Sequence, residues 1–169
     1  MGGELKVKSA PGEGSRFSFS IELPLYHGVL DSAAKPSKQA FSSLAGLHVL
    51  LAEDNDINAE IAIELLALQQ VSVERAKNGR QAVELFAGRP EGYYDLILMD
   101  LNMPVMDGLA ATREIRSMSR ADAGVVPILA MTANTFQEDR EKAAAAGMTG
   151  FLPKPFDVEQ LYSALCSSV

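Results

Sequence analysis

The sequence predicts an α/β domain in which helices cover both faces of a five-stranded parallel sheet, preceded by a β-hairpin appendage. From residue 47 onward, short apolar runs alternate five times with segments of helical period, which is typical of doubly wound sheets. Residues 4–23 instead alternate with period two around a glycine-containing turn, which indicates a hairpin. Residues 27–46 show neither period and are rich in Ser, Ala and Lys, so we interpret them as a linker.

Composition narrows the classes of function. The chain has 169 residues, 47% of them hydrophobic and 22% charged, which allows one ordinary core plus an appendage. A net charge of -7 disfavours nucleic acid or an anionic membrane surface as a direct partner. The chain has one cysteine, Cys166, and shows no signal peptide and no apolar run long enough to span a membrane. These three observations predict a cytoplasmic location.

The hairpin is expected to have one apolar face. Around a turn at residues 10–14, the two strands place six apolar residues at alternating positions: Leu5, Val7, Phe17, Phe19, Ile21 and Leu23. Because a lone two-stranded hairpin is marginally stable in water, this one should belong to a larger sheet or find a partner surface. Its free edge would also allow a homodimer.

Five apolar runs define the strands of the parallel sheet. They lie at residues 48–52, 71–76, 96–99, 125–131 and 150–152. The helices between and after them have recognisable starts, at Asn55 or Asp56, Asn78, the turn at 107–108, the capping box at 135–138 and Asp157. Helical spacing predicts that the apolar face of the first helix consists of Ile57, Ile61, Leu65 and Leu68.

Asp100 follows the apolar run at 96–99, which is too short for an ordinary helix and suits a strand buried on both faces. A carboxylate at the carboxyl end of such a strand lies where open α/β sheets bind ligands. Taken alone, Asp100 would serve equally well as a cap for the next loop or helix. The histidines carry no comparable signal, because His27 lies in the linker and His48 lies inside a strand.

Four strand ends carry reactive side chains. Right-handed crossovers place these ends at one edge of the sheet, so Glu53, Asp54, Asp100, Thr132 and Lys154 should converge. Three carboxylates repel one another unless a cation intervenes, and oxygen ligands suit Mg²⁺ or Mn²⁺. Beside such an ion Asp100 could form an aspartyl phosphate, with Lys154 as a mobile point charge and Thr132 as a hydroxyl donor.

Residues 47–169 resemble the receiver domain of two-component response regulators. The resemblance rests on four motifs, E-D-N at 53–55, M-D-L-N-M-P-V-M-D-G at 99–108, M-T-A at 131–133 and K-P-F at 154–156. It implies a flavodoxin-like sheet with strand order 2-1-3-4-5. It also implies a cis peptide bond between Lys154 and Pro155.

The resemblance implies the acceptor and metal ligands. Asp100 would be the phosphoacceptor, and Mg²⁺ would be bound directly by Asp54, Asp100 and the backbone carbonyl of Asn102. Glu53 would assist through water. The domain would catalyse its own phosphorylation and the hydrolysis of the product.

The resemblance also implies a conformational switch. Thr132 and Lys154 would hold phosphoryl oxygens, and Phe151 stands at the aromatic position that turns inward as the threonine moves toward phosphate. Many relatives have Tyr there, so Phe151 retains only the packing part of the switch. With no output domain after Val169 in this sequence, output is expected by protein contact through the last strand and the fourth and fifth helices.

The hairpin resembles the last two strands of a histidine-kinase ATP-binding domain. The matching segments are G-G-E-L-K-V-K-S at 2–9, G-E-G-S-R-F-S-F at 12–19 and L-P-L at 23–25. That family's nucleotide-binding helix and ATP lid have no counterpart here, so the kinase core is absent. A kinase remnant at 1–26, a linker at 27–46 and a receiver at 47–169 together resemble part of a hybrid sensor histidine kinase. Its partners would be a histidine-kinase phosphodonor domain and a histidine phosphotransfer domain, and the parent protein could be membrane-anchored.

Three other functions fit the predicted fold less well. An aspartyl-phosphate hydrolase would want a second acid two residues past the nucleophile, where this chain has Asn102. A nucleotide or flavin binder would want a glycine-rich or hydroxyl-rich phosphate loop after the first strand, where this chain has Asn55-Asp56-Ile57, whose carboxylate would repel phosphate. A docking module that is never phosphorylated remains the main alternative.

Overall fold

The computed structural model describes residues 3–10, 12, 14–21, 44–133 and 137–169, and the chain divides into two compact units at residues 35 and 36. The first unit contains the predicted hairpin, with β1 (Gly3–Ala10) antiparallel to β2 (Gly14–Ile21). Val7 lies opposite Phe17, and the two side chains are 53% and 69% exposed. His27, Leu23 and most of the predicted linker lie outside the described residues.

The second unit is the predicted doubly wound domain. Its elements in chain order are β3 (His48–Ala52), α1 (Asp56–Ala67), β4 (Ser72–Ala76), α2 (Gly79–Gly88), β5 (Leu96–Asp100), α3 (Gly108–Arg116), β6 (Ile128–Thr132), α4 (Gln137–Ala146), β7 (Gly150–Pro153) and α5 (Val158–Cys166). All sheet pairs are parallel and the strand order is β4-β3-β5-β6-β7, which confirms the expected order. None of the described helices is long and apolar enough to cross a bilayer.

Each face of the sheet has its own hydrophobic core. On one face the buried residues come from β3, β5 and β6 together with α2, α3 and α4. On the other face the same strands pack against α1 and α5. The central strand β5 is buried along its whole length, so its carboxyl end is held rigidly at the edge of the sheet.

Predicted helix caps are confirmed where the structure describes them. The side chains of Asn55, Asn78, Asp107 and Asp157 accept hydrogen bonds from backbone amides in the first turns of α1, α2, α3 and α5. The capping residue predicted for α4 lies outside the described residues.

Two expectations about the second unit are wrong. β6 begins at Ile128, three residues later than predicted, because Val125 donates its backbone N–H to the Asp122 carbonyl in a turn and is 75% exposed. The predicted apolar face of α1 is also not its core face. Its core residues are Ala59, Ala62 and Leu66.

The apolar residues that define the α1 prediction lie mainly in solvent. Ile57, Ile61 and Leu68 are 69%, 50% and 74% exposed. The helix is apolar on two sides, and the side with the small alanines packs against the sheet. Periodicity thus predicts the helix correctly but selects the wrong face.

The packed core begins before residue 47. Leu44, which falls within the predicted linker, is fully buried and belongs to the same core cluster as Val49 and Leu66. Gly46 follows it in the left-handed region and donates its N–H to the carbonyl of Gln70. The segment just before β3 is therefore part of the domain.

We expect Leu44→Ala to lower the free energy of unfolding by about 3 kcal/mol, because the truncation leaves a cavity in a packed core. The matched control is Leu68→Ala, the same truncation at a 74% exposed position, which should cost less than about 0.5 kcal/mol. Urea titration of residues 36–169 measures both values. Equal losses in the two variants would contradict the burial of Leu44.

Candidate functional site

Asp100 lies at the carboxyl end of β5 and is 7% exposed. The backbone N–H of Asn102 donates to its Oδ1 at 3.1 Å, and Lys154 Nζ donates to its Oδ2 at 2.7 Å. The backbone of Gly108 passes so close that a Cβ there would lie 2.2 Å from the Asp100 carbonyl oxygen. Glycine is therefore needed where α3 begins. The two hydrogen bonds hold both carboxylate oxygens of Asp100 in place.

The acidic pair follows β3 at the same edge of the sheet. Glu53 is 2% exposed, whereas Asp54 lies on the surface. One carboxylate oxygen from each of Glu53, Asp54 and Asp100 lies within 4.8 Å of the others. The carboxylates that the sequence predicts to converge do converge.

Lys154 joins two of these carboxylates. Its ammonium group donates to Glu53 Oε2 as well as to Asp100 Oδ2. One ammonium against three carboxylates leaves an uncompensated negative charge, and buried charges are costly unless they are paired. A hard divalent cation with oxygen ligands fits this donor set.

Thr132 and Lys154 come from neighbouring strand ends. Thr132 ends β6 and is 3% exposed, and its carbonyl accepts from the backbone N–H of Lys154 at 2.8 Å. The Lys154-Pro155 peptide bond is cis, as expected. Phe151, in β7, is half-buried against the core, and the guanidinium of Arg140 lies 5.4 Å from its ring centroid.

Two side chains that sequence reasoning missed contact the acidic pair. Asn58 Nδ2, one turn into α1, donates to Glu53 Oε1 at 3.2 Å. Arg75, in β4, donates to the backbone carbonyls of Glu53 and Asp54. The signal available in the sequence was the position of Arg75 near the carboxyl end of its own strand.

The charges around the start of α1 also affect Asp56. Hydrogen bonds from Arg75 and then Lys77, together with their positive charges, lower the pKa of the Asp56 carboxyl below its usual value. The Asp56 Oδ1 atom lies 2.7 Å from Arg75 Nη1 and 3.3 Å from Lys77 Nζ. Asp56 therefore stays ionised and bound to β4.

A shallow pocket opens beside the carboxylates. Its volume is about 360 Å³, and its lining residues are Asn58, Ile61, Ala133, Lys154, Pro155 and Phe156. Ile61, on the exposed face of α1, therefore lines the same pocket as Lys154, which contacts Asp100. An apolar surface that adjoins a charged crevice is suited to contact with another protein.

The sequence of the domain that carries this site is similar to sequences of known proteins. Residues 49–166 match the family model described as the response regulator receiver domain. The aerobic respiration control sensor protein ArcB of Escherichia coli is 36% identical over 162 residues, which cover 95% of this chain. The chain spans only 20% of the length of that relative.

Solved structures show the same fold. One of them is the receiver domain of a sensor histidine kinase from Pseudomonas aeruginosa, which has magnesium in its active-site cleft. It is 40% identical to this chain, and the two align with a TM-score of 0.66 over 73% of this chain and 98% of that one. A Saccharomyces cerevisiae receiver domain, crystallised with a histidine phosphotransfer protein, is 34% identical, with a TM-score of 0.64 over 72% of this chain and 88% of that chain. The chain belongs to the response regulator receiver domain family, whose members serve in two-component phosphorelays.

Proposed function

We propose that this receiver accepts a phosphoryl group from a histidine onto Asp100. The observation that carries the proposal is the position of Asp100, whose two oxygens are held by Asn102 N–H and Lys154 at the crowded edge of the sheet. An Asp100 oxygen would form a bond to phosphorus as the bond between phosphorus and the imidazole nitrogen breaks. The electron pair of the broken bond returns to the imidazole.

The reaction would use a divalent cation, Mg²⁺ or Mn²⁺. Asp54, Asp100 and the Asn102 carbonyl would hold it directly and Glu53 would assist, which is supported by the three converging carboxylates and by magnesium in the related Pseudomonas receiver. When bound, such an ion neutralises charge on the transferring phosphoryl group. Lys154 already contacts Asp100 and could move to a phosphoryl oxygen.

Phosphorylation would be read out at the neighbouring strands. Thr132 would bind a phosphoryl oxygen, and Phe151, half-buried beside Arg140, would respond by repacking. Because Phe151 lies in β7 next to α4, the change would reach the surface of α4, β7 and α5. This surface is the proposed output face.

The phosphodonor would dock on the surface that surrounds the crevice. A domain that brings its histidine to Asp100 would cover the adjoining pocket and the exposed start of α1, where Ile57 and Ile61 offer apolar area. The carrier would be a histidine-kinase domain or a histidine phosphotransfer domain. Partnership with such a domain is supported by the yeast receiver solved with its phosphotransfer protein.

The hairpin would be the end of a kinase ATP-binding domain in a hybrid sensor histidine kinase. The alignment with ArcB, the sensor protein described above, supports this proposal, because its 162 residues extend beyond the receiver match at 49–166. Exposed Val7 and Phe17 would then pack on the rest of that domain. The boundary at 26 follows from the same proposal. The receiver would begin at or before Leu44 and not at residue 47, because Leu44 packs in its core.

Incubation with acetyl phosphate and Mg²⁺ should add one phosphoryl group to the wild-type chain, because the acceptor site needs only a small donor. Asp100→Asn, which keeps the shape of the side chain but removes its nucleophilic oxygen, should gain none. Intact mass spectrometry with and without Mg²⁺ measures the gain. Equal labelling of both proteins would rule out Asp100 as the acceptor, and no labelling of either would favour the docking module.

Ile61→Asp should slow phosphoryl transfer from a phosphorylated histidine phosphotransfer domain at least about tenfold, because it places a charge in an apolar contact. Labelling by acetyl phosphate should not change. The control is Val125→Asp at a 75% exposed position beyond the opposite edge of the sheet, where neither rate should change. Equal rates for Ile61→Asp and wild type would contradict docking at this surface.

A further inference from the structure

Arg75 binds the backbone of the acidic segment at residues 53–56, called the acidic loop below, which consists of the turn after β3 and the first residue of α1. Its Nε and Nη2 donate to the Glu53 carbonyl at 3.1 and 3.0 Å, and Nη2 also donates to the Asp54 carbonyl at 3.2 Å. Nη1 donates to Asp56 Oδ1 at 2.7 Å. One guanidinium thus contacts three of the four residues of this loop.

The environment of Arg75 makes these contacts specific. The side chain is only 19% exposed, and its partners include two main-chain carbonyls, whose positions follow those of Glu53 and Asp54 directly. The planar guanidinium fork can satisfy several acceptors at once, whereas a lysine ammonium acts as a point charge. The loop is also anchored by the Glu53 N–H, which donates to the Ala76 carbonyl at 3.0 Å.

The Glu53 carboxylate is held by residues other than Arg75. Asn58 Nδ2 and Lys154 Nζ bind the Glu53 carboxylate, so its backbone and its side chain have separate partners. The acidic loop would otherwise be opened by repulsion between Glu53, Asp54 and Asp100. A rigid group on the backbone resists this opening without neutralising the carboxylates.

We propose that Arg75 is a positioning residue for divalent-cation binding, which presets the acidic loop by holding the Glu53 and Asp54 carbonyls from β4. This inference rests on the proposed function, since it assumes that the cluster binds Mg²⁺. Arg75 donates no hydrogen bond to the carboxylates of Glu53, Asp54 or Asp100, so it contacts neither the proposed cation ligands' side chains nor the proposed acceptor oxygen. It acts on affinity for the cation through the shape of the loop.

The charge of Arg75 and its hydrogen bonds to the loop have opposite expected effects on the affinity for Mg²⁺. A positive charge near the cluster repels a divalent cation, so its removal would strengthen Mg²⁺ binding if charge alone mattered. Removal of the backbone contacts would weaken binding if positioning mattered. The direction of the change in affinity therefore separates the two roles.

The test measures Mg²⁺ affinity of the full chain by isothermal titration calorimetry. We expect Arg75→Met to weaken binding about tenfold, a loss typical of groups that support metal ligands. Arg75→Lys should also weaken it, because the charge remains but the fork is lost. The matched control is Lys77→Met, which removes an equal charge from Asp56 and should leave affinity unchanged or slightly higher.

A second readout separates positioning from loss of fold or of chemistry. Thermal unfolding shows whether each variant is folded at the temperature of the titration. Labelling by acetyl phosphate should need more Mg²⁺ for half-maximal yield in Arg75→Met but reach the wild-type yield at saturating Mg²⁺. If Arg75→Met unfolds, Arg75→Lys carries the test alone.

Two results would overturn the inference. Mg²⁺ affinity in Arg75→Met and Arg75→Lys equal to or tighter than wild type would show that the contacts do not position the loop. A labelling defect that persists at saturating Mg²⁺ would place Arg75 in a different role. If wild type itself neither binds Mg²⁺ nor becomes labelled, the proposed function fails instead.

Discussion

Repulsion among Glu53, Asp54 and Asp100, whose oxygens converge within 4.8 Å, is the constraint on which the rest of the site depends. Two of these carboxylates are nearly buried, so water screens them poorly. Lys154 offsets part of the repulsion by bridging Glu53 and Asp100. The remaining negative charge suits the site to a divalent cation, which would in turn attract the oxygens of a phosphoryl group.

The fold holds this unfavourable arrangement together. β5 lies at the centre of the sheet and is buried on both faces, so Asp100 cannot withdraw from the crevice. The backbone of the acidic loop is bound by Arg75, and the Glu53 carboxylate is bound by Asn58 and Lys154. Two separate cores therefore support a polar edge that would not be stable alone. The same edge adjoins the exposed apolar start of α1, so the proposed docking surface lies beside Asp100.

The elements and the convergence of the site residues could be predicted from sequence because each has a recognisable signal. Apolar runs mark the strands, caps mark the helices, and parallel connections force Asp100 and Lys154 to one edge. The core face of α1 had no such signal, because the helix is apolar on two sides and only packing against the sheet selects Ala59 and Leu66. Leu44 and Arg75 were missed because their roles arise from contacts distant in sequence, and the position of Arg75 near the end of its strand does not by itself identify its partners.

Chemical trapping of the phosphorylated residue would identify the phosphoacceptor. After acetyl phosphate treatment with Mg²⁺, borohydride reduces an aspartyl phosphate to homoserine, which peptide mass spectrometry locates in the chain. If Asp100 is the phosphoacceptor, homoserine should be found at position 100 and at no other aspartate. Conversion at Asp54 or Glu53 instead, or phosphate recovered on a hydroxyl, would contradict the assignment of Asp100 as the phosphoacceptor.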